Sequence, residues 1–219
     1  MNSNNQLPQI LEGVQIESRL LPAVPEIYLY LMQDQVPDHH LPQHDYHRLM
    51  EAPPYWAFCW GGGQALARWI LDNPEVVRGR DVVDFGAGSG VAGIAAALAG
   101  AKSVVCVDID RDALRACQRN ACLNRVTVAT SGALSLSNGE LLLAADVCYE
   151  DEGYTGVVNY MVAGGDVVIA ESRLRNLTDR FPQLKRVSEL RVRTFPDLEE
   201  AENYDLVRIF CSYQFPKKP

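Results

Sequence analysis

The sequence predicts an α/β fold with a mostly parallel sheet, on the strength of three features. Short apolar, β-branched runs alternate with helix-patterned stretches, the order that puts helices on both faces of such a sheet. Asp81-Val-Val-Asp-Phe-Gly-Ala-Gly-Ser-Gly-Val-Ala-Gly93 joins a strand to a small-residue helix through a glycine-rich turn. Near the end, Arg186 to Thr194 and Tyr204 to Tyr213 alternate in hydrophobicity across a short link containing Pro196. That pattern predicts an antiparallel pair closing one edge of the sheet.

The elements follow in order. A first strand ends at Phe85, and a helix from about Val91 to Leu98 is stopped by Gly100. A second strand, Ser103 to Val107, ends in Asp108. Its helix, Arg111 to Leu123, repeats Leu114, Cys117 and Ala121 at helical spacing. Val126 to Ala129 reads as a third strand, Leu141 to Ala145 as a fourth, and the run from Gly164 to Ala170 as a fifth. With 219 residues, 47% of them hydrophobic, the chain can bury one substantial core. The expected organisation is a compact domain over residues 53–219, preceded by an extension, residues 1–52, that includes a lid over the site.

The glycine turn is the main chemical signal. Glycines clear side chains from a tight strand-to-helix turn, so a ligand can approach the backbone at the positive end of the helix dipole. Asp108, at the tip of the next strand, is placed to accept hydrogen bonds from a ribose diol. Gly86, Gly88 and Gly90 make GxGxG, the form used for S-adenosylmethionine; Gly88, Gly90 and Gly93 make GxGxxG, the dinucleotide form. Asp84, two residues before the first glycine, can reach the amino group of a methionine moiety. About 80 residues precede the turn, and little chain is left for a dehydrogenase substrate domain. The methyl-donor reading is preferred, with NAD as its rival.

A second constellation leaves the fourth strand as Asp146-Val-Cys-Tyr149-Glu-Asp-Glu152. Ligands of open α/β sheets bind beyond the carboxyl ends of the strands, near the point where strand order reverses. Methyl transfer from a sulfonium is an in-line displacement, so the enzyme chiefly aligns donor and acceptor. Asp146 can orient a cationic amine, and Tyr149 can offer it a ring face or a hydroxyl. Acids before a helix also serve as caps, which is the reading given to Glu150, Asp151 and Glu152. A third constellation, Pro53-Pro-Tyr-Trp56-Ala-Phe-Cys-Trp60-Gly-Gly-Gly63, sets two tryptophans before three glycines. Such a pattern alone is more often core packing, but Trp60 could pack on the cofactor.

These residues also carry a resemblance. Pro54-Tyr-Trp-Ala57, Trp60-x-Gly-Gly-Gln-Ala-Leu66 and Leu71-Asp-Asn-Pro-Glu-Val-Val-Arg-Gly79 resemble the electron transfer flavoprotein β-subunit lysine methyltransferases, and so does Val24-Pro-Glu-Ile27. Those enzymes belong to a group of seven-strand protein-lysine methyltransferases with an acid-x-x-Tyr/Phe motif after strand four, which Asp146-Val-Cys-Tyr149 fits. The resemblance implies a Rossmann-like, seven-stranded class I S-adenosylmethionine-dependent methyltransferase fold. It implies that Trp60, Gly86, Gly88, Gly90 and Asp108 bind S-adenosylmethionine, with S-adenosylhomocysteine as product, and that Asp146 and Tyr149 face the lysine. Ile109 and Ser131 complete the expected cofactor set. Ser131-Gly132 stands where the family tends to carry Asn or Asp near the adenine. The implied acceptor is the electron transfer flavoprotein β subunit or a ribosomal protein; a small-molecule amine is the alternative.

A net charge of -8 argues against a nucleic-acid backbone as partner. None of the six cysteines forms a CxxC pair, and most sit in apolar runs such as Val104-Val-Cys-Val107, the usage of a reducing compartment. The polar start, Met1-Asn-Ser-Asn-Asn-Gln, lacks an apolar signal core, and the apolar run from Val91 to Ala101 is too short to span a bilayer. A cytoplasmic monomer with no membrane partner is expected. His39, His40, His44 and His47 cluster in a segment broken by Pro37 and Pro42. Histidines can ligate zinc, but the expectation is a polar lid loop without metal.

Overall fold

A computed structural model of the chain describes residues 14–33, 51–135, 139–148, 151–174, 177–198 and 204–212. The helices and strands are β1 (Ile16–Leu20), β2 (Tyr28–Met32), α1 (Gly61–Asp72), β3 (Asp81–Phe85), α2 (Val91–Leu98), β4 (Ser103–Val107) and α3 (Arg111–Leu123). They continue as β5 (Ala129–Ser131), β6 (Leu141–Ala145), α4 (Asp151–Val162), β7 (Asp166–Glu171), α5 (Leu177–Arg180), β8 (Lys185–Arg191) and β9 (Leu206–Cys211). Seven strands form one sheet in the order β5-β4-β3-β6-β7-β9-β8. Only β9 runs antiparallel to its neighbours, β7 and β8. The predicted parallel sheet with an antiparallel C-terminal edge pair is therefore present.

The central strands are apolar because both of their faces are covered. In β6, Leu141 and Leu143 join one buried cluster with Leu66 and Ile70 of α1 and Ile94 of α2. Leu142 and Ala144 point the other way and join Val157 and Tyr160 of α4. Edge strand β8 is different: Lys185, Arg186, Glu189 and Arg191 stand exposed along it, charges that discourage edge-to-edge pairing.

The strand after α3 begins later than its apolar residues suggest. Pairing with β4 starts at Ala129, opposite Val105. Arg125 adopts a left-handed conformation, φ 58°, and Val126 donates back to the Ala121 carbonyl. Val126 and Val128 are thus spent packing a helix exit against the core rather than extending the sheet. Likewise β8 stops at Arg191, and Phe195 exchanges backbone hydrogen bonds with Cys59 ahead of α1.

A β1–β2 hairpin, not anticipated from the sequence, precedes the sheet. Leu21, Val24, Ile27, Leu29 and Leu31 are fully buried in the same cluster as α1 and α2. Its outer strand finds hydrogen-bond partners on α3. Asn120 Oδ1 accepts the Tyr30 N–H at 2.7 Å, and Asn124 Oδ1 accepts the Tyr28 N–H at 2.9 Å. Asparagines four apart lie on one helix face, so two side chains stand in for a neighbouring strand. Glu26 in the hairpin turn also pairs with Arg68 of α1 at 2.8 Å, and Arg68 in turn pairs with Asp72 at 2.7 Å.

Candidate active site

The order of the sheet reverses at β3, which pairs with β4 on one side and β6 on the other. Gly86, Gly88, Gly90, Asp108 and Asp146 follow the carboxyl ends of these strands, the position where such sheets bind ligands. In the loop after β3, Gly86, Gly88 and Gly90 have φ of 67°, 51° and 81°, a region that suits glycine and strains other residues. Gly93 is needed for a different reason: inside α2, a Cβ there would meet Cys106 Sγ at 2.7 Å. The first three glycines shape the turn, while Gly93 allows close packing of helix on strand.

The loop is tied down from three sides. Gly86 and Ala87 donate to the Val107 carbonyl at 2.9 and 3.1 Å. Cys117 Sγ contacts the Gly88 carbonyl at 3.4 Å, and the buried Asn120 Nδ2 donates to the Ser89 carbonyl at 2.8 Å. Asp108 Oδ2 accepts the Gly88 N–H at 2.8 Å, and its Oδ1 accepts the Asp110 N–H at 2.9 Å. Burial raises the Asp108 pKa, opposed by these backbone bonds. Among the described residues, chain neighbours aside, no atom lies within 4 Å of where Gly88 or Gly132 would carry a Cβ. Beside them Ile109 is 84% exposed, an apolar side chain that a flat ring could cover. An open backbone cradle, a carboxylate and an apolar face fit a nucleoside-bearing ligand.

Ser131 ends β5. Its carbonyl accepts the Asp108 N–H at 3.2 Å and its Oγ donates to the Ala133 carbonyl at 2.7 Å. Asp84 lies deeper, only 2% exposed, with Oδ2 accepting the Gly93 N–H at 2.8 Å. Burial pushes its carboxyl up to about 7, and the nearby Asp108 charge adds to the effect.

Asp146 leaves β6 in a left-handed conformation, φ 49°, uncommon for a residue with a side chain. The bend is held through its N–H and both carboxylate oxygens. Its N–H donates to the Ala170 carbonyl at 2.9 Å. Oδ2 accepts the Gly62 N–H at 3.0 Å, and Oδ1 accepts both the N–H and the Oγ–H of Ser172 at 2.8 Å. Burial raises the Asp146 pKa, while the Ser172 bonds, the Arg173 charge and the Gly62 bond pull it down.

These contacts explain the three glycines after Trp60. A Cβ on Gly62 would overlap the Asp146 carboxyl; on Gly61 it would lie 2.5 Å from the Val192 carbonyl, and on Gly63 2.9 Å from Val91 Cγ1. Only bare backbone lets the start of α1 meet all three, with its N–H groups and dipole aimed at a carboxylate. The tryptophans then divide. Trp56 is buried in a small cluster with Ala113 and Ala116. Trp60 is partly exposed, donates Nε1–H to the Tyr55 carbonyl at 3.0 Å, and leans edge-on to Tyr55.

The structure adds residues that sequence reading missed. The Arg173 guanidinium lies 5.7 Å from the Trp60 ring centre and 4.9 Å from that of Tyr204. Glu171 ends β7, Ser172 follows it against Asp146, and Asn120 links the hairpin to the glycine loop. Glu171-Ser172-Arg173, three polar residues directly after an apolar strand, was the signal available. Tyr149, Glu150 and the His39–His47 segment lie outside the described residues. Asp151 and Glu152 open α4, the end where caps were expected. Among the described residues there is no group of three or more His, Cys, Asp or Glu able to hold a metal, and no helix is long and apolar enough to cross a membrane.

The ribosomal protein L11 methyltransferase (PrmA) family profile matches residues 65–151. The chain is 35% identical over 162 residues to the electron transfer flavoprotein beta subunit lysine methyltransferase of Xenopus laevis, covering 70% of this chain and 66% of that protein. It is 40% identical over 104 residues to the Rattus norvegicus protein of the same name, covering 45% and 41%. The chain thus spans about two fifths to two thirds of the length of these relatives. The ribosomal protein L11 methylase of Lactobacillus delbrueckii subsp. bulgaricus superposes with a TM-score of 0.51 at 20% identity, over 70% of this chain and 79% of that one. The fold is the Rossmann-like class I methyltransferase fold, as the resemblance implied.

Proposed function

We propose that this chain, similar to the electron transfer flavoprotein β-subunit lysine methyltransferases and built on the class I methyltransferase fold, is an S-adenosylmethionine-dependent protein-lysine N-methyltransferase. One observation carries the reading above the others. A nucleoside-sized cradle (Gly86 to Gly90, Asp108, Ile109) and a half-buried, clamped carboxylate (Asp146) lie at the ends of adjacent strands β3, β4 and β6. S-adenosylmethionine, when bound, supplies a methyl group on a sulfonium. Asp108 is suited to its ribose hydroxyls, Ile109 and Ser131 to the adenine side, Asp84 to the amino end, and Trp60 to the face of the molecule. Asp146 holds and orients the acceptor amine, and Tyr149, by the family motif, flanks it. Orientation is the main requirement for such a displacement, and a carboxylate stabilises the positive charge that grows on nitrogen.

The relatives' names support a protein acceptor: the electron transfer flavoprotein β subunit for the lysine methyltransferases and L11 for the ribosomal family. A monomeric, cytoplasmic enzyme without nucleic-acid or membrane partners completes the proposal. The test is incubation with methyl-labelled S-adenosylmethionine and purified electron transfer flavoprotein β subunit, L11 or n-butylamine. Label in a protein, lost with Asp146→Ala while S-adenosylhomocysteine still binds, supports the reading. Label in the amine alone moves the enzyme to small molecules. No label, together with binding of NAD, ends it.

A further inference from the structure

Glu171 is fully buried at the end of β7, one strand over from Asp146. Its Oε1 accepts the Arg173 N–H at 2.8 Å and the Leu174 N–H at 3.1 Å. Those bonds shape the turn whose Ser172 clasps Asp146 Oδ1 and whose Arg173 covers Trp60. Its Oε2 is buried with no hydrogen-bond partner among the described residues. A turn cap needs one acceptor oxygen, and a neutral amide would supply it. A second, unpartnered carboxyl oxygen near another carboxyl is costly when buried and calls for a different explanation.

We propose that Glu171 is a positioning residue of the acceptor site: it holds the turn that orients Asp146, and its own charge sets the charge that the pair of carboxyls presents to an incoming amine. The inference rests on the methyltransferase reading. Among the described residues, the titratable and charged groups that act on Glu171 or are acted on by it are Asp146 and Cys148 from the end of β6 and Arg173 from its own turn. Burial and the Asp146 charge push the Glu171 carboxyl up to about 7, with the turn N–H groups and Arg173 opposing. Ionisation of Glu171 above that pH adds one negative charge to the pair. Transfer of a methyl group to a neutral amine moves positive charge onto nitrogen, so the added charge favours it.

Glu171→Gln keeps the acceptor oxygen of the turn and fixes the neutral state. With the electron transfer flavoprotein β subunit as acceptor, wild type and variant should match in kcat/KM at pH 6 and diverge about tenfold in favour of wild type by pH 8.5. A ratio that stays constant with pH overturns the proposal, since a purely structural cap would give that result. Stability gives a readout independent of methylation. The folded-state carboxyl binds its proton more tightly than the unfolded one, so wild-type stability falls as pH rises from 4.5 to about 7. The variant should therefore gain roughly 10 °C in Tm on wild type across that interval, and a flat difference also overturns the proposal. If the variant does not fold, ¹³C titration of the wild-type glutamate carboxyls decides, and no glutamate titrating near neutrality sinks it. A wild type that shows the stability effect but methylates no protein refutes the acceptor reading instead, and this inference with it.

Discussion

The Gly62 N–H donates to Asp146 Oδ2 across 3.0 Å, joining the first turn of α1 to the end of β6 over 84 residues of sequence. A side chain on Gly62 would overlap that carboxyl. Gly62→Ala should push Asp146 off its bonds to Gly62 and Ser172 and cost about 1–3 kcal/mol in urea unfolding. A small displacement of the orienting group should lower kcat about 100-fold. S-adenosylhomocysteine affinity, measured by calorimetry, should stay close to wild type because the glycine cradle is untouched. Loss of affinity equal to the loss of rate would mean that the clamp supports the cofactor instead.

Two asparagines on α3 allow a paired comparison. Asn124 serves only the hairpin and its own helix end, through Tyr28 and the Asn120 carbonyl. Asn120 serves the hairpin and the glycine loop, through the Tyr30 N–H and the Ser89 carbonyl. Removing the buried Asn120 side chain strands both partners, at about 1–3 kcal/mol for each unsatisfied group. Asn120→Ala should therefore lose stability and S-adenosylhomocysteine affinity together, whereas Asn124→Ala should lose stability alone. Equal affinities in the two variants would show that the hairpin is mechanically separate from the cradle.

The contrast between these residues shows what the sequence made legible. Gly86, Gly88, Gly90 and Asp108 are readable because a strand-turn-helix imposes local requirements at fixed spacing, and the structure places the glycines at positive φ as those requirements dictate. The edge pair β8–β9 is readable from alternation alone. Asn120, Ser172 and Gly62 act through contacts 26 to 90 residues away along the chain, and nothing in their neighbours announces such a role. The β1–β2 hairpin escaped because two five-residue strands carry too little periodicity, and their burial comes from α1 and α3. The third strand was misplaced because Val126 and Val128 are apolar for packing, a reason that sequence cannot separate from pairing.

Asp108 supports the loop and is proposed to bind the ribose, and two substitutions separate the roles. Asparagine can still accept the Gly88 N–H through its oxygen, but its amide cannot accept two hydroxyl hydrogens as a carboxylate can. Asp108→Asn should weaken S-adenosylhomocysteine about 10- to 100-fold, about 1.4–2.8 kcal/mol, and lower Tm less than Asp108→Ala, because its oxygen keeps one of the two backbone bonds. Asp108→Ala should also lower Tm, because the Gly88 N–H loses its partner. An asparagine variant that binds as well as wild type would place the ribose elsewhere.

Asp84 makes a prediction in which stability and binding move in opposite directions with pH. Its folded-state carboxyl keeps its proton up to about 7, whereas the reference aspartate releases it near 3.8. The stability this contributes is complete below 3.8 and is lost as pH rises through about 7. At about 1.36 kcal/mol per unit, Asp84→Asn should exceed wild type by about 4 kcal/mol at pH 8 and converge with it at pH 3.5. Binding should show the reverse. If the ionised carboxyl faces the amino group of the cofactor, wild-type affinity for S-adenosylhomocysteine should rise about tenfold per pH unit between 5.5 and 7. The variant should stay level over that interval, which also separates Asp84 from Asp108, whose carboxyl is shifted in the same direction. Parallel binding curves for the two proteins would confine Asp84 to its bond with the Gly93 N–H, as a buried anchor for α2 with no part in holding the cofactor.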